Sequence, residues 1–229
     1  MTETVVRMES ASPRGAETRE RILDAAERLF AEQGVSNTSL RQITREADVN
    51  LAAINYHFQS KEQLVSSIIR RLLDPINERR IQILDALEDT ARGAPVELES
   101  LLKAFLLPIF EARDNSPRAL NIPKLYGRLH SEPGEMIARF FMPVVAPVVA
   151  RFTPAFRKSL PELSEQELVW QVHFTIGATI HTLAAPQTLA VLTRGESVME
   201  GWPDLLERLV TFCAGGMRAA AAKGGRQCA

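Results

Sequence analysis

Cysteine is scarce in this 229-residue sequence, with two thiols in all. Neither Cys213, in an apolar stretch, nor Cys228, near the end, has the spacing of a metal cluster or a disulfide framework. Such usage suits a reducing compartment, so a cytoplasmic location is expected. Basic charge is not in excess either. The formal net charge is −1, so nothing in the total demands a polyanionic partner, and any contact with nucleic acid must come from local charge placement. Long uncharged runs are missing but for residues 168–193, which hold no Asp, Glu, Lys or Arg and would be long enough to span a bilayer. Gln171, His173, Thr175, Thr179, His181, Thr182, Pro186 and Gln187 within that run are too many polar groups for hydrocarbon. A buried helix is expected there, and no membrane partner. The first sixteen residues contain no apolar segment, so no secretory signal is expected.

Signatures of catalysis are also missing. There is no Gly-x-Ser-x-Gly, no phosphate-cradling glycine loop, no His-Glu-x-x-His and no Cys-x-x-Cys, so neither an enzyme nor a cofactor is expected. His173 and His181 are eight residues apart, about 80° around a helix from one another, and no glutamate lies three residues before any histidine. A structural or ligand-bonding role is expected for them and no metal site.

What is present is helical punctuation, with no convincing alternation of apolar and polar residues. The expected fold class is all-α: a three-helix head containing a helix-turn-helix, joined by a long fourth helix to a helical body. Residues 1–16 read as a flexible arm carrying Arg7 and Arg14, 17–65 as the head, 66–218 as the body and 219–229 as a flexible tail with alanines at 219–222. The first helix is expected over residues 17–33. Ile22, Ala26, Leu29 and Phe30 share a face, Arg19, Glu20 and Glu27 are placed elsewhere as surface charge, and Gly34 stops the helix. Ser39 with Gln42 forms a capping box for a short second helix whose Leu40, Ile43 and Ala47 point inward. Asp48 stands where a left-handed residue is needed, Val49 plugs the turn, and Asn50 caps a third helix reaching about Phe58. Two short helices so joined form a helix-turn-helix. Ser60 with Gln63 reads as a second capping box, opening a fourth helix over 61–87 that contains Pro75. Further helices are expected near residues 96–111, 119–131, 135–152, 165–183 and 202–217.

On the third helix Ile54 and Phe58 share the core face, and Ala52 and Tyr56 the opposite one. Small Ala52 allows close approach to a groove wall, Tyr56 offers a hydroxyl to a phosphate, and Asn55 has the amide that pairs bidentately with adenine. Asn50 and Leu51 stand at the start of this helix, and His57 and Lys61 lie toward a phosphate backbone. Arg41 and the hydroxyls of Thr38 or Ser39 add phosphate contacts from the second helix. The partner expected from this constellation is double-stranded DNA.

The run RERILDAAERLFAEQGVSNTSLRQITREADVNLAAINYHFQSKEQL resembles the N-terminal domain of the TetR family of bacterial transcription regulators. The resemblance implies that Tyr56, His57 and Lys61 contact phosphates and that the start of the third helix reads bases. Asp48 replaces the usual turn glycine, Leu51 stands where many relatives carry Lys or Arg, and Asn55 where many carry Tyr, so no relative's operator sequence carries over. The wording NLAAINYHF, with WQVHFTIGA later, is similar to a subgroup that includes regulators of fatty-acid metabolism. For the body the resemblance implies dimerisation and a small-molecule pocket.

Independent signs point the same way. Val169, Val172, Ile176, Ile180 and Leu183 recur at spacings of three or four and, with Leu205, Leu209 and Phe212, are expected to form a homodimer interface of four helices. Phe105, Phe110, Leu125, Tyr126, Leu129, Phe140, Phe141, Val144, His173 and Phe174 are expected around a pocket for a small hydrophobic effector. Pro108, Pro123, Pro143 and Pro147 would bend the helices enough to leave a gap. Pro75 reads as a hinge in the fourth helix. The expected function is a ligand-responsive repressor on a palindromic operator; a DNA-binding regulator without a small-molecule effector and a helical carrier or enzyme stand as alternatives.

Overall fold

The computed structural model describes residues 13–115, 117–131, 135–184, 191–192, 194 and 201–227. The described residues form nine α-helices, a 3-10 turn and a π turn, and no strand, as the all-α expectation had it. α1 (Pro13–Gln33) buries Ile22, Leu23, Ala26, Leu29 and Phe30 and stops at Gly34, whose φ of 86° no bulkier residue adopts readily. It begins inside the stretch read as an arm, so Arg14 is helical, while Arg7 lies outside the described residues.

α2 (Leu40–Ala47) and α3 (Leu51–Phe58) follow from their caps. The Ser39 hydroxyl accepts from the Gln42 amide, and the Gln42 side chain accepts from the Ser39 amide, completing the expected capping box. Asp48 is left-handed at φ 51° and ψ 54°, and Asn50 Oδ1 accepts from the Ala53 amide at 2.9 Å to start α3. Arg21 of α1 clasps the turn between them, donating to the carbonyls of Ala47 at 2.5 Å and Asp48 at 2.7 Å. These carbonyls end a helix and have no intrahelical donor, so the guanidinium satisfies them and ties the turn to α1. Ile43, Ile54 and Phe58 are buried against α1 and the start of α4.

α4 (Lys61–Ala91) runs through Pro75 as one helix. At its start the Ser60 hydroxyl accepts from the Gln63 amide, but the Gln63 side chain donates to Gln59 instead of closing the expected second box. α5 (Leu98–Asn115), a 3-10 turn (Pro117–Leu120), α6 (Asn121–Ser131), a π turn (Ile137–Phe141) and α7 (Met142–Ser159) follow, then α8 (Glu165–Ala184) and α9 (Trp202–Gln227). The helix expected from residue 135 does start there, with the π turn in its early part and Phe141 helical at φ −89° and ψ −45°, and it runs on to Ser159 instead of ending near residue 152. α9 continues through the alanines assigned to a flexible tail. Alanine is the strongest helix former, and Ala221 is buried.

Two contacts lock the body to the long helix. Asn77 Nδ2 of α4 donates to the Val144 carbonyl of α7 at 3.0 Å, and Asn77 Oδ1 accepts from Arg80, whose Nε donates to the Phe105 carbonyl of α5 at 2.7 Å. Each carbonyl lies one residue after the one that Pro147 or Pro108 deprives of its helical donor. Polar groups of α4 are thus spent where proline has loosened its neighbours. Arg80 also stacks over the Phe105 ring at 4.7 Å and pairs with no carboxylate among the described residues; burial alone lowers its pKa to about 10.

Ile54 is fully buried and joins α3 to α1 and α4. Ile54→Ala should cost about 2–5 kcal/mol, the range for truncating a core isoleucine, read as a lower urea midpoint at unchanged slope.

Candidate nucleic-acid interface

The short helices of the head leave one face of α3 bare. Leu51, Ala52, Asn55 and Tyr56 are exposed, Tyr56 to 80%, while Ile54 and Phe58 turn inward, as period 3.6 requires. His57 is half-buried, with its ring edge-on to Tyr56 at 5.0 Å between centroids. Lys61, in the first turn of α4, is half-buried beside this face, and Arg41 is exposed on α2. Asn50 and Ser39 are exposed as well, though each side-chain oxygen already caps a helix.

Thr38 is a correction. It is 1% exposed, and its hydroxyl donates inward to the Gly34 carbonyl at 2.8 Å. It closes the loop after α1 and is out of a phosphate's reach. Glu27 corrects a second expectation, since it is no surface charge but 2% exposed. Its carboxylate is held by Arg71 of α4 and, at 2.8 Å, by Asn121 Nδ2 of α6. The sequence carried the signal: position 27 follows Leu23 by four and precedes Phe30 by three, so it lies on the apolar stripe.

In the body, Phe105, Phe110, Phe140 and Val144 are buried, and Leu125, Tyr126 and Phe141 line a cleft with Ile69, Leu72, Leu73 and Ile122. The side chain of Leu129 lies outside the described residues. This cleft is nearly filled, enclosing only ≈ 10 Å³, about one water-sized probe, whereas Val144 lines an open groove of ≈ 460 Å³ with Pro143 and Pro147 of α7 and Asp74 and Asn77 of α4. Tyr126 meets Phe141 of the π turn edge-on at 5.3 Å, and burial raises its phenol pKa. His173 and Phe174 are exposed on α8, away from this cleft; Phe174 lines a separate groove of ≈ 500 Å³ between α8 and α9 with Gln171, Thr175 and Phe212, and His173 lines neither.

Exposed apolar side chains gather on α8 and α9. Val169, Trp170, Phe174 and Phe212 are each at least half exposed, and the Trp170 and Phe174 rings stack at 5.7 Å. α8 buries Leu168, Thr175 and Thr179 instead, with both threonine hydroxyls donating to carbonyls four residues earlier. Val172, Ile176, Ile180 and Leu183 are half-buried between the two faces. Leu205 and Leu209, expected at an interface between protomers, are buried in the chain's own core, which corrects their assignment. Among the described residues no helix is long and apolar enough to cross a membrane.

Two family models match this chain: one of bacterial regulatory proteins of the tetR family, over residues 22–68, and one of the tetracyclin repressor-like C-terminal domain, over residues 103–216. The HTH-type transcriptional regulator AcrR of Shigella flexneri is 54% identical over 52 residues, 23% of this chain and 24% of that protein. The HTH-type transcriptional repressor KstR2 of Mycolicibacterium smegmatis is 37% identical over 70 residues, 31% of this chain and 34% of that protein. The matched segments therefore span about a quarter to a third of those relatives. Among solved structures, a putative transcriptional regulator from Pseudomonas aeruginosa PAO1 aligns with a TM-score of 0.61 at 19% identity, covering 98% of this chain and 99% of that one. The fatty acid degradation regulator FadR from Bacillus halodurans aligns with a TM-score of 0.57 at 15% identity, covering 92% and 99%. At such identities the likeness shows the fold alone.

Because the Thr38 hydroxyl faces inward, Thr38→Val should lower stability by about 1–3 kcal/mol in urea unfolding. The salt dependence of DNA binding should stay unchanged; a shallower slope would place the hydroxyl at a phosphate after all.

Proposed function

The chain belongs to the TetR family of bacterial transcriptional regulators, and from that premise we propose that it acts as a homodimeric repressor released from a palindromic operator by a small hydrophobic molecule. The observation that carries the DNA-binding part is the bare face of α3, where Leu51, Ala52, Asn55 and Tyr56 stand exposed on a helix whose opposite face is anchored in the core. A helix so presented fits a major groove. Leu51 and Ala52 would meet thymine methyls, Asn55 an adenine edge, and Tyr56, His57, Lys61, Arg41 and Ser39 the phosphates. One eight-residue helix reads few base pairs, so paired heads one helical turn apart supply the missing specificity.

Pairing is assigned to α8 and α9, whose exposed Val169, Trp170, Phe174 and Phe212 would otherwise leave a large apolar patch in water. The effector is assigned to the cleft bounded by α4, α6 and the π turn, for three reasons. Its walls are wholly apolar but for the Tyr126 hydroxyl, π turns recur at functional sites, and α6 packs directly on α1 of the head. A filled cleft is compatible with this if the closed form is the one that holds DNA and the ligand selects a form in which the cleft is open.

Selection of bound duplexes from a random pool should return an inverted repeat; absence of any enriched duplex in low salt would sink the proposal. Lys61→Ala should weaken binding to all sequences alike and lower the slope of log affinity against log salt by roughly one unit. Phe212→Arg should convert a dimer to a monomer in sedimentation, and a still-dimeric variant would exclude this face as the interface.

A further inference from the structure

Resting on that reading of the body, we propose that Glu27 is the residue through which the head senses the position of α6, with Asn121 as its contact on the moving side. The geometry is that of one carboxylate shared by two parts. Oε2 accepts from Arg71 of α4, and Oε1 accepts from Asn121 Nδ2 at 2.8 Å. Arg71 is tied to α1 several times over, reaching Asp24 at 2.8 Å and Glu20 at 3.2 Å as well. The α4 side of the carboxylate therefore stays fixed to α1. The α6 side hangs on Asn121, flanked by the more exposed contacts of Arg118 with Asp24 at 2.9 Å and Arg128 with the Glu32 carbonyl at 2.7 Å.

Asn121 is the first residue of α6, and the next one, Ile122, forms part of the cleft wall together with Leu125 and Tyr126. A molecule that opens the cleft displaces α6, and Asn121 with it. Oε1 would then be a buried anion short of a donor, a costly state in a site where Arg71 Nε is already buried without a hydrogen-bond partner among the described residues. The carboxylate regains its donor only if α1 follows α6 or opens to water. Either response moves the helix whose Arg21 clasps the α2–α3 turn, and so shifts α3. The buried charge makes the tie directional and nearly all-or-none, the property that a two-state coupling needs.

The test uses the full-length protein, the selected operator duplex and an enlarged cleft wall in place of a ligand. Leu125→Trp forces α6 outward because the cleft has no room for an indole. It should weaken operator binding by about tenfold, within the usual range of allosteric coupling. Glu27→Leu, which removes the anion and leaves Arg71 on Asp24 and Glu20, should keep operator affinity within about threefold, and in its presence Leu125→Trp should cost less than about threefold. An equal loss in both backgrounds overturns the proposal, as does no loss in either. Leu125→Phe, judged by the same criteria, replaces the tryptophan variant if circular dichroism shows the latter unfolded. Failure of the broader reading shows first, as a wild-type protein that holds no duplex.

Discussion

A carboxylate removed from water must keep its donors, and the placement of Glu27 therefore sets how the two halves of the molecule meet. α1 packs against α2, α3, α4 and α6 alike, and the only way to bury an anion in such a helix is to bring a cation and an amide to it from the neighbours. Arg71 arrives from α4 and Asn121 from α6. An apolar residue at position 27 would have packed as well and bound as tightly, since buried ion pairs seldom exceed apolar replacements in stability. It would not have specified which residue of α6 stands opposite. The head is thus joined to the body by a contact with a defined partner rather than by a sliding apolar surface.

The same logic recurs on the other side of α4. Proline-bent α5 and α7 offer carbonyls near their bends, and Asn77 and Arg80 reach them from α4. The long helix is therefore gripped at Arg71 on the head side of Pro75 and at Asn77 and Arg80 on the body side. Pro75 itself is exposed and the helix passes through it unbroken. Its missing hydrogen bond stays with the solvent-facing side of α4, where the loss is cheapest. A hinge at that position, as the sequence suggested, would have to bend a helix held on both sides of the bend.

The head was legible in the sequence because its signals are local: Gly34, the Ser39 box, left-handed Asp48 and the Asn50 cap each act within four residues. Family resemblance and physical reading agreed there. Thr38 was misplaced because a hydroxyl next to a helix start reads equally as a cap or as a loop bond, and only the tertiary contact with Gly34 separates them. Glu27 was misplaced by weighing residue type over period. In the body the apolar faces of α8 and α9 are broad, so periodicity located the helices without telling which side meets the chain's own core. Leu209 is buried and Phe212, three residues on, is 69% exposed. Whether bent helices leave a cavity depends on how side chains close over the bend, and no pattern in the chain records that.

The overall charge of −1 leaves the proposed DNA-binding role to local charge placement. Within the head, Asp48 is paired with Arg21, Glu46 with Arg28, and Glu20, Asp24 and Glu27 with Arg71. Arg41 and Arg45 on α2 are exposed and pair with no carboxylate among the described residues. Beyond a Debye length of about 10 Å a paired acid and base nearly cancel, so what an approaching duplex meets is set by the groups left over, Arg41 and Arg45 on α2 and the exposed Glu17, Glu32 and Glu62. Arg41 and Arg45 stand on the helix that precedes α3, so the charge available to a phosphate there is local and independent of the total that the composition reports.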